Sequence, residues 1–588
     1  MKKLLYNILI LILGVVVTAC SDFLDKEPNN YLTTGFYKSE AALKDGVAGV
    51  YNGLYKTYSE FYNLPFPVAM AHTTAMALPR GENTTISAGG ALNPDNLMVR
   101  EVWFYWYTMI ARANSLIYGS KDYIDGLNEK SHQYWAEAKV LRAYAYYNLI
   151  SLYGDIPFYT EPVTIDQYKD ARVSKVTVLD FILSELDEAA GYMPWIATEQ
   201  GRVDKAVAYG LKARAALLGG SLNYGGKGTE YFKTAAEAAK QVIGQRQLAK
   251  NFDDLFNLTG QAKSDARNEI MFAIMYSGVG TIKTHNIAFG QVSRNSGQTG
   301  RHPSMLLADT YECIDGKRID ESPYYDPKHP QRNRDPRFHS TLWMHGDTVT
   351  VNNGSIYTQV LEAYSAEMQK YDYGTNQWTT VNNADINSAA AWASFCNAGC
   401  GYIWAKFSNE TTENIASQTC NVPLMRYAEV LLTYAEAKIE LNELDQSVYD
   451  AINQVRERAG MPKVSDDRIG NQDKMRQLVR RERKVELAIE GLHPVDMRRW
   501  GTGDLENGQP SYGLPLPTVR YEGMSATDRP NFKTSARADL NDIPNYDAYK
   551  NKIKVRDVNR YWDKKFELWP IPQLERDRNP NLTQNDGY

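Results

Sequence analysis

The sequence predicts a mainly α fold: a tetratricopeptide-like solenoid of helical hairpins that carries a large irregular insertion of loops and short strands. Three observations lead there. Segments with apolar residues at helical spacing recur along the chain. They carry small residues, among them Ala213, Ala216, Ala235, Ala239, Ala435 and Ala451, where paired helices can approach closely. Between about residues 275 and 420 the helical rhythm gives way to Gly, Asn, Ser and Thr, and it returns afterwards. A single hairpin cannot bury its own apolar face, so hairpins of this kind stack.

In chain order, the first element is not part of the fold. Lys2 and Lys3 precede an apolar run over residues 4–17, and Thr18 and Ala19 are small. About 14 apolar residues describe a secretory signal; a membrane-spanning helix needs roughly 20. Val17-Thr18-Ala19-Cys20 resembles the lipobox of bacterial lipoproteins, which are cleaved before the cysteine and acylated on it. Residues 1–19 are therefore expected to be a signal peptide and residues 20–40 a tether anchored through Cys20. Several acyl chains at about 0.8 kcal/mol per buried methylene make a stable anchor. Asp22 and Asp25, close behind, resemble the acidic export signal of surface-exposed lipoproteins.

Residues 40–58 read as a helix capped by Ser39. Residues 59–100 hold Pro65, Pro67, Pro79, Gly81, Gly89, Gly90 and Pro94 and read as a long structured loop. Over 101–117, Trp103, Trp106, Tyr107, Ile110, Ala113 and Asn114 share one helical face, which makes Trp103 and Tyr107 core residues. Residues 131–153 form a denser helix, stopped by Gly154-Asp155-Ile156-Pro157. Further helices are expected over 178–190, 205–218, 231–243, 423–441, 449–459 and 478–500. The basic run Arg480 to Lys484 in the last of these reads as a solvated, ion-paired face. The domain plan is a helical part over 41–274 with a ligand-side loop at 59–100, a variable insertion over 275–420, and a second helical part over 421–588.

Composition narrows the function. The chain has 588 residues, 43% of them hydrophobic, with 65 Lys and Arg against 70 Asp and Glu. Loss of the signal removes two lysines and no acids, leaving 63 against 70, a net charge of −7. A mildly acidic chain lacks the clustered positive charge that nucleic-acid binding needs. The 40 Tyr and 11 Trp suit sugar or peptide surfaces, although such rings also fill helical cores. Behind Cys20 remain Cys313, Cys396, Cys400 and Cys420, which allow three disulfide pairings or none. Cys396 and Cys400 lack the second pair that a zinc site needs, and His339 and His345 read as surface or packed histidines. No metal and no cofactor is expected.

Motifs in a fixed order carry a resemblance. Cys20 to Asp25 opens the series, and the helix bearing Trp103, Tyr107, Ile110, Ala113 and Asn114 follows. Ala136-Glu137-Ala138-Lys139 leads into Leu141-Arg142-Ala143-Tyr144 and then Leu152-Tyr153-Gly154-Asp155-Ile156-Pro157. Later come Asn333-Arg334-Asp335-Pro336-Arg337-Phe338, Met425-Arg426-Tyr427-Ala428-Glu429, the charged helix up to Trp500, Leu568-Trp569-Pro570-Ile571-Pro572 and Asn579-Pro580-Asn581-Leu582. The set resembles the SusD/RagB outer-membrane nutrient-binding lipoproteins. His493-Pro494-Val495-Asp496 departs from the pattern, which more often has an aromatic-rich segment there. The resemblance implies a SusD-like fold with four tetratricopeptide-like units on one side and a variable insertion on the other. It also implies an oligosaccharide ligand, a cell-surface position on the outer membrane and a SusC-like TonB-dependent transporter as partner.

Enzyme motifs are absent: there is no Gly-x-Ser-x-Gly elbow, no His-Glu-x-x-His and no P-loop, and no acid pair stands in a recognisable catalytic setting. The protein is expected not to be an enzyme. A sugar site would use exposed aromatic rings together with amide and Arg donors on loops. The candidates are Arg80, Asn83 and Asn96 in the first irregular region, and Trp343, Tyr373, Trp378 and Trp392 in the insertion. A glycan-binding lipoprotein is the first reading. A peptide-binding member of the same family is the alternative, and a surface hydrolase is the third.

Overall fold

The computed structural model describes residues 36–58, 64–79, 86, 89–279 and 284–588. Cys20, the signal segment, residues 20–35 of the tether, Arg80 and Asn83 lie outside the described residues. Helix α1 (Glu40–Tyr51) opens on Ser39, whose hydroxyl accepts the Ala42 N–H at 3.3 Å. It ends seven residues before the expected stop, in the 3-10 turn Asn52–Tyr55. The next region is not all loop. Helix α2 (Phe66–Ala71) is buried along its whole length, and β1 (Ala77–Pro79) follows. A helix buried all round has no polar face, so it shows no amphipathic period.

Helix α3 (Leu97–Ser120) starts earlier than the apolar pattern suggests because Asn96 caps it; its side-chain carbonyl accepts the Val99 N–H at 3.1 Å. Then come α4 (Glu129–Tyr153), α5 (Lys175–Gly191), α6 (Lys205–Ser221) and α7 (Gly228–Val242), each packed on the one before. Ala213, Ala216, Ala235 and Ala239 are fully buried at the crossings. A Cβ on Gly219 would stand 2.4 Å from the Leu179 side chain, so α5 and α6 meet where side chains vanish. Trp103 is buried in the core, and Tyr107 donates its hydroxyl to the Pro157 carbonyl at 2.6 Å.

Strand β2 (Ile270–Ile274) precedes the irregular part. Within that part, β3 (Arg301–Pro303) pairs with β1, which stitches the two irregular regions together. Next, β4 (Leu342–Met344) is followed by a four-stranded antiparallel meander: β5 (Thr348–Asn352), β6 (Ile356–Val360), β7 (Glu367–Asp372) and β8 (Gln377–Asn382). Strand β9 (Tyr402–Trp404) pairs back with β4, and β10 (Val422–Arg426) pairs with β2, Ile274 facing Val422. The chain thus leaves and rejoins the helical layer at one strand pair. Helices α8 (Tyr427–Glu440), α9 (Gln446–Arg458), α10 (Gln472–Glu486) and α11 (His493–Trp500) complete that layer, with α8 against α7. The architecture is a helical, tetratricopeptide-like layer with an inserted loop-and-strand region.

Two expectations fail around α10. The single helix expected over 478–500 is broken where Ile489 and Gly491 take φ of 59° and 78°. A Cβ on Gly491 would lie 2.6 Å from the Pro67 Cα, so α2 packs where only glycine fits. The basic run is ion-paired but not solvated: Arg481, Glu482, Arg483 and Lys484 are all buried. Arg481 pairs with Asp542 at 2.7 Å and with Glu312; Arg483 meets Asp496 at 2.9 Å. Glu486 joins Arg337 and Arg426, and Arg426 also holds Glu269 at 2.5 Å and Glu490 at 2.7 Å. The partner acids come from distant segments, which is why a local charge pattern reads as a surface. Buried charges persist when each is paired and hydrogen-bonded.

Cys313, Cys396, Cys400 and Cys420 are buried, and among the described residues they form no disulfide with one another. Burial raises the thiol pKa of Cys396 and Cys420. His339 packs edge-on against Phe338, whereas His345 stacks on Tyr521 beside Glu362.

Candidate binding face

The insertion folds as a sheet because of its alternation. On β5, Val349 and Val351 are buried, while Thr348, Thr350 and Asn352 face outward. The inner face closes a small core of Ala288, Val292, Val351 and Ile415, with Trp343 and Tyr357 packed against it. A second small core, around Phe395, Ile403 and Leu514, also takes Val349 and Trp343. Tyr357 is pushed up to about 12, first by burial and then by Asp385. Asp385 anchors this base: it accepts the Arg294 N–H and the Asn295 amide, both at 3.0 Å, and the Ser293 hydroxyl. Burial raises its pKa, and the Ser293 hydrogen bond works against that rise.

The outer face is built differently. Register places Thr350 opposite Thr358, Thr358 opposite Tyr371, and Tyr371 opposite Trp378, one row across all four strands. Strands about 4.8 Å apart make that row roughly 14 Å long. At one end the Thr350 and Thr358 hydroxyls are 2.8 Å apart. Thr358 also lies 2.8 Å from the Tyr373 hydroxyl, which fixes that ring although the turn carrying it is exposed. At the other end Tyr371 meets Trp378 edge-on at 5.5 Å and Tyr373 at 5.0 Å. Trp378 and Tyr373 are 46% and 51% exposed, unlike core rings. Gln369 donates its amide to Thr380 at 2.9 Å in the neighbouring row. Apolar ring faces beside preset hydroxyls and amides are what a polyhydroxylated ligand needs, since each buried hydroxyl must find a partner.

The predicted residues scatter. Tyr373 and Trp378 come together on this face. Trp343 lies beneath the sheet and packs into the two small cores. Asn96 spends its side-chain carbonyl on the α3 cap. Trp392 is 61% exposed on a separate turn, where the Ala393 carbonyl meets His302 of β3 at 3.0 Å. Sequence reasoning missed Tyr371, Thr350, Thr358, Gln369 and Thr380. The signal was present: alternating residues flank Gly374-Thr375-Asn376, a turn in which Asn376 takes φ of 55°.

Elsewhere, a groove of about 640 Å³ opens on the helical layer between α3 and the C-terminal residues 575–582. Trp103, Phe104, Tyr107, Tyr159, Tyr168 and Leu582 line it, and Phe104 is 61% exposed. Among the described residues no cluster of three or more His, Cys, Asp or Glu is placed to hold a metal, and no helix is long and apolar enough to cross a membrane.

A helical repeat-like layer, an inserted sheet and an open aromatic-polar face define a binding scaffold. Comparison gives the family: residues 268–588 match the SusD family, and the chain belongs to it. Residues 22–217 match a second family model, described as starch-binding and associating with the outer membrane. SusD-like protein P2 of Formosa agariphila is 26% identical over 88% of this chain and 97% of its own length. The starch-binding protein SusD of Bacteroides thetaiotaomicron is 23% identical over 100% of this chain and 99% of its own. Among solved structures, a SusD-like carbohydrate binding protein from Bacteroides fragilis aligns with a TM-score of 0.72 at 25% identity, covering 93% of this chain and 100% of that one. A laminarin binding SusD-like protein aligns with a TM-score of 0.59 at 19% identity, covering 94% and 100%.

Proposed function

We propose that this protein is a cell-surface lipoprotein that binds oligo- or polysaccharide and delivers it, as a lid, to a SusC-like TonB-dependent outer-membrane transporter without changing it chemically. The observation that carries the reading is the outward face on which the exposed rings of Tyr373 and Trp378 flank Tyr371 beside Thr350, with Thr358 buried and holding the Tyr373 hydroxyl. The relatives support the carbohydrate class, since they include a starch-binding and a laminarin-binding protein. The lipobox at Cys20 supports anchoring to the outer membrane, in line with the second family description. The groove beside α3 supports a protein contact on the helical side, away from the sheet.

The test is calorimetric titration of a soluble form lacking residues 1–20 against starch, laminarin and other plant, microbial and host glycans, with mixed peptides alongside. Saturable binding to one glycan, recovered intact, is the expected result. Binding to peptides alone would replace the reading with the peptide alternative, and new reducing ends would replace it with a hydrolase. Pull-down of a barrel transporter from the native membrane, lost when Phe104→Asp and Tyr168→Asp are introduced together, tests the partner.

A further inference from the structure

The chemistry of the outer face narrows the ligand within that reading. Its outward positions are Thr348, Thr350 and Asn352 on β5, Ile356, Thr358 and Val360 on β6, Glu367, Gln369 and Tyr371 on β7, and Trp378, Thr380 and Asn382 on β8. One is an acid and none is a base. The four strands contain a single lysine or arginine, Lys370, and it points to the other face, where its ammonium sits 4.4 Å from the Tyr357 ring centroid. A carboxylate or sulfate on a ligand would therefore meet hydroxyls, amides and Glu367, with no cation on these strands to offset its lost hydration.

Shape gives a second constraint. The row Thr350, Thr358, Tyr371 and Trp378 runs across the whole sheet with Tyr373 over the buried Thr358; β5 and β8 are both edge strands, residues 411–415 dock on β5 at Asn352 in the neighbouring row, and no further strand lies beyond Thr350 or Trp378. A pocket that reads a chain terminus needs a wall that stops the chain; an open platform touches several successive sugars alike. From the missing cation and the open row we infer that this face binds the interior of an uncharged polysaccharide chain laid across the strands, with rings stacking on Tyr371 and Trp378 and hydroxyls meeting Gln369, Thr380 and Thr350. The inference rests on the glycan reading above and adds charge class and binding mode to it.

The test is calorimetry on the soluble form with laminarin, amylopectin, polygalacturonate and alginate, and with neutral oligosaccharides of increasing length before and after borohydride reduction of their reducing ends. Affinity for neutral chains should rise with length to a plateau, stay within twofold after reduction and change less than twofold between 50 and 500 mM salt. Trp378→Ala and Tyr371→Ala should each weaken it at least tenfold. Thr348→Lys, at an exposed outward position outside the contacts named, should keep neutral binding and add a salt-sensitive affinity for alginate. Binding confined to the acidic polysaccharides, or abolished by end reduction, would overturn this inference and leave the glycan reading standing. Neutral binding unaltered by both aromatic variants, with the fold intact by circular dichroism, would also overturn it. No binding to any of the four polysaccharides would overturn both.

Discussion

Trp378 stands directly across from Tyr371 in the β7–β8 ladder, their rings edge to face at 5.5 Å on the solvent side of the sheet. Trp378 is on an edge strand and 46% exposed, so little of the core depends on it. Trp378→Ala should therefore cost at least tenfold in glycan affinity, about 1.4 kcal/mol, while unfolding free energy changes by about 1 kcal/mol or less. Titration and differential scanning calorimetry on one preparation separate the two; a fall in melting temperature with unchanged affinity would make Trp378 structural.

Tyr373 is held by its hydroxyl, 2.8 Å from Thr358, which in turn meets Thr350 at 2.8 Å. Thr358→Val keeps the shape and removes the link. The ring then regains rotational freedom, and affinity should fall about three- to tenfold, the worth of one hydrogen bond near 1 kcal/mol. Thr350→Val leaves the Tyr373 contact in place and should fall less. Thr358 is itself buried, so unchanged affinity in Thr358→Val would show that binding does not depend on this hold on the Tyr373 ring.

Trp343 is as plausible a ligand residue as Trp378 by sequence, yet it packs under the sheet into two small cores. Trp343→Ala should destabilise the protein by about 2–4 kcal/mol, read as a lower urea midpoint, and lower affinity only through loss of the sheet. Retained stability with lost binding would reverse the assignment.

The contrast among these residues shows what was legible. Helices α3 to α7 announced themselves because small and apolar residues recur at helical spacing, and the ordered motifs from Ala136 to Pro157 and from Met425 to Glu429 pointed to the family. The four-stranded sheet announced only its hairpin turn at Gly374-Thr375-Asn376; its outer face mixes Thr, Gln, Tyr and Trp and its inner face also holds polar groups, so the full set of strands did not stand out. Trp343 lies between Leu342 and Met344 and Trp378 between Gln377 and Thr379, and pairing, Trp343 with Ile403 and Trp378 with Tyr371, puts the first under the four-stranded sheet and the second on its outer face. The buried charges of α10 misled for the same reason: Glu312, Asp542 and Glu269 reach Arg481 and Arg426 from segments far away in sequence.

That charge cluster makes an acid prediction. Burial alone would raise the carboxyl pKa of Glu486, but Arg458, Arg426 and Arg337 outweigh it and hold the group far below its ordinary 4.5. Burial is likewise outweighed by Arg456 and Arg481 at Glu312, held at about 2, and by Lys484 and His493 at Glu506, also at about 2. Each folded value lies below the unfolded one, so the stabilisation is complete above about pH 5 and is lost as pH falls through about 2. Melting temperature should drop steeply over that window. Glu486→Gln leaves Arg426 and Arg337 short of a partner and should cost about 3–5 kcal/mol at pH 7 while making the acid slope shallower. An unchanged slope would remove Glu486 from the account.

Asp309 runs the other way. It is buried in the short helix Met305–Thr310, and burial, only partly offset by Arg334 and the nearby Tyr546 hydroxyl, pushes its pKa up to about 7. Because the folded value lies above the unfolded 3.8, its contribution is complete below about pH 4 and is lost as pH rises to about 7, beyond which the penalty is constant. Asp309→Asn mimics the protonated acid at every pH. The variant should match the parent near pH 4, pull ahead as pH rises, and stay ahead by about 2–4 kcal/mol above pH 7.5, since each tenfold change in proton affinity is worth about 1.4 kcal/mol. Urea unfolding at pH 4.5, 6 and 8 checks this; a variant equally offset at all three would mean that Asp309 does not titrate in the folded protein.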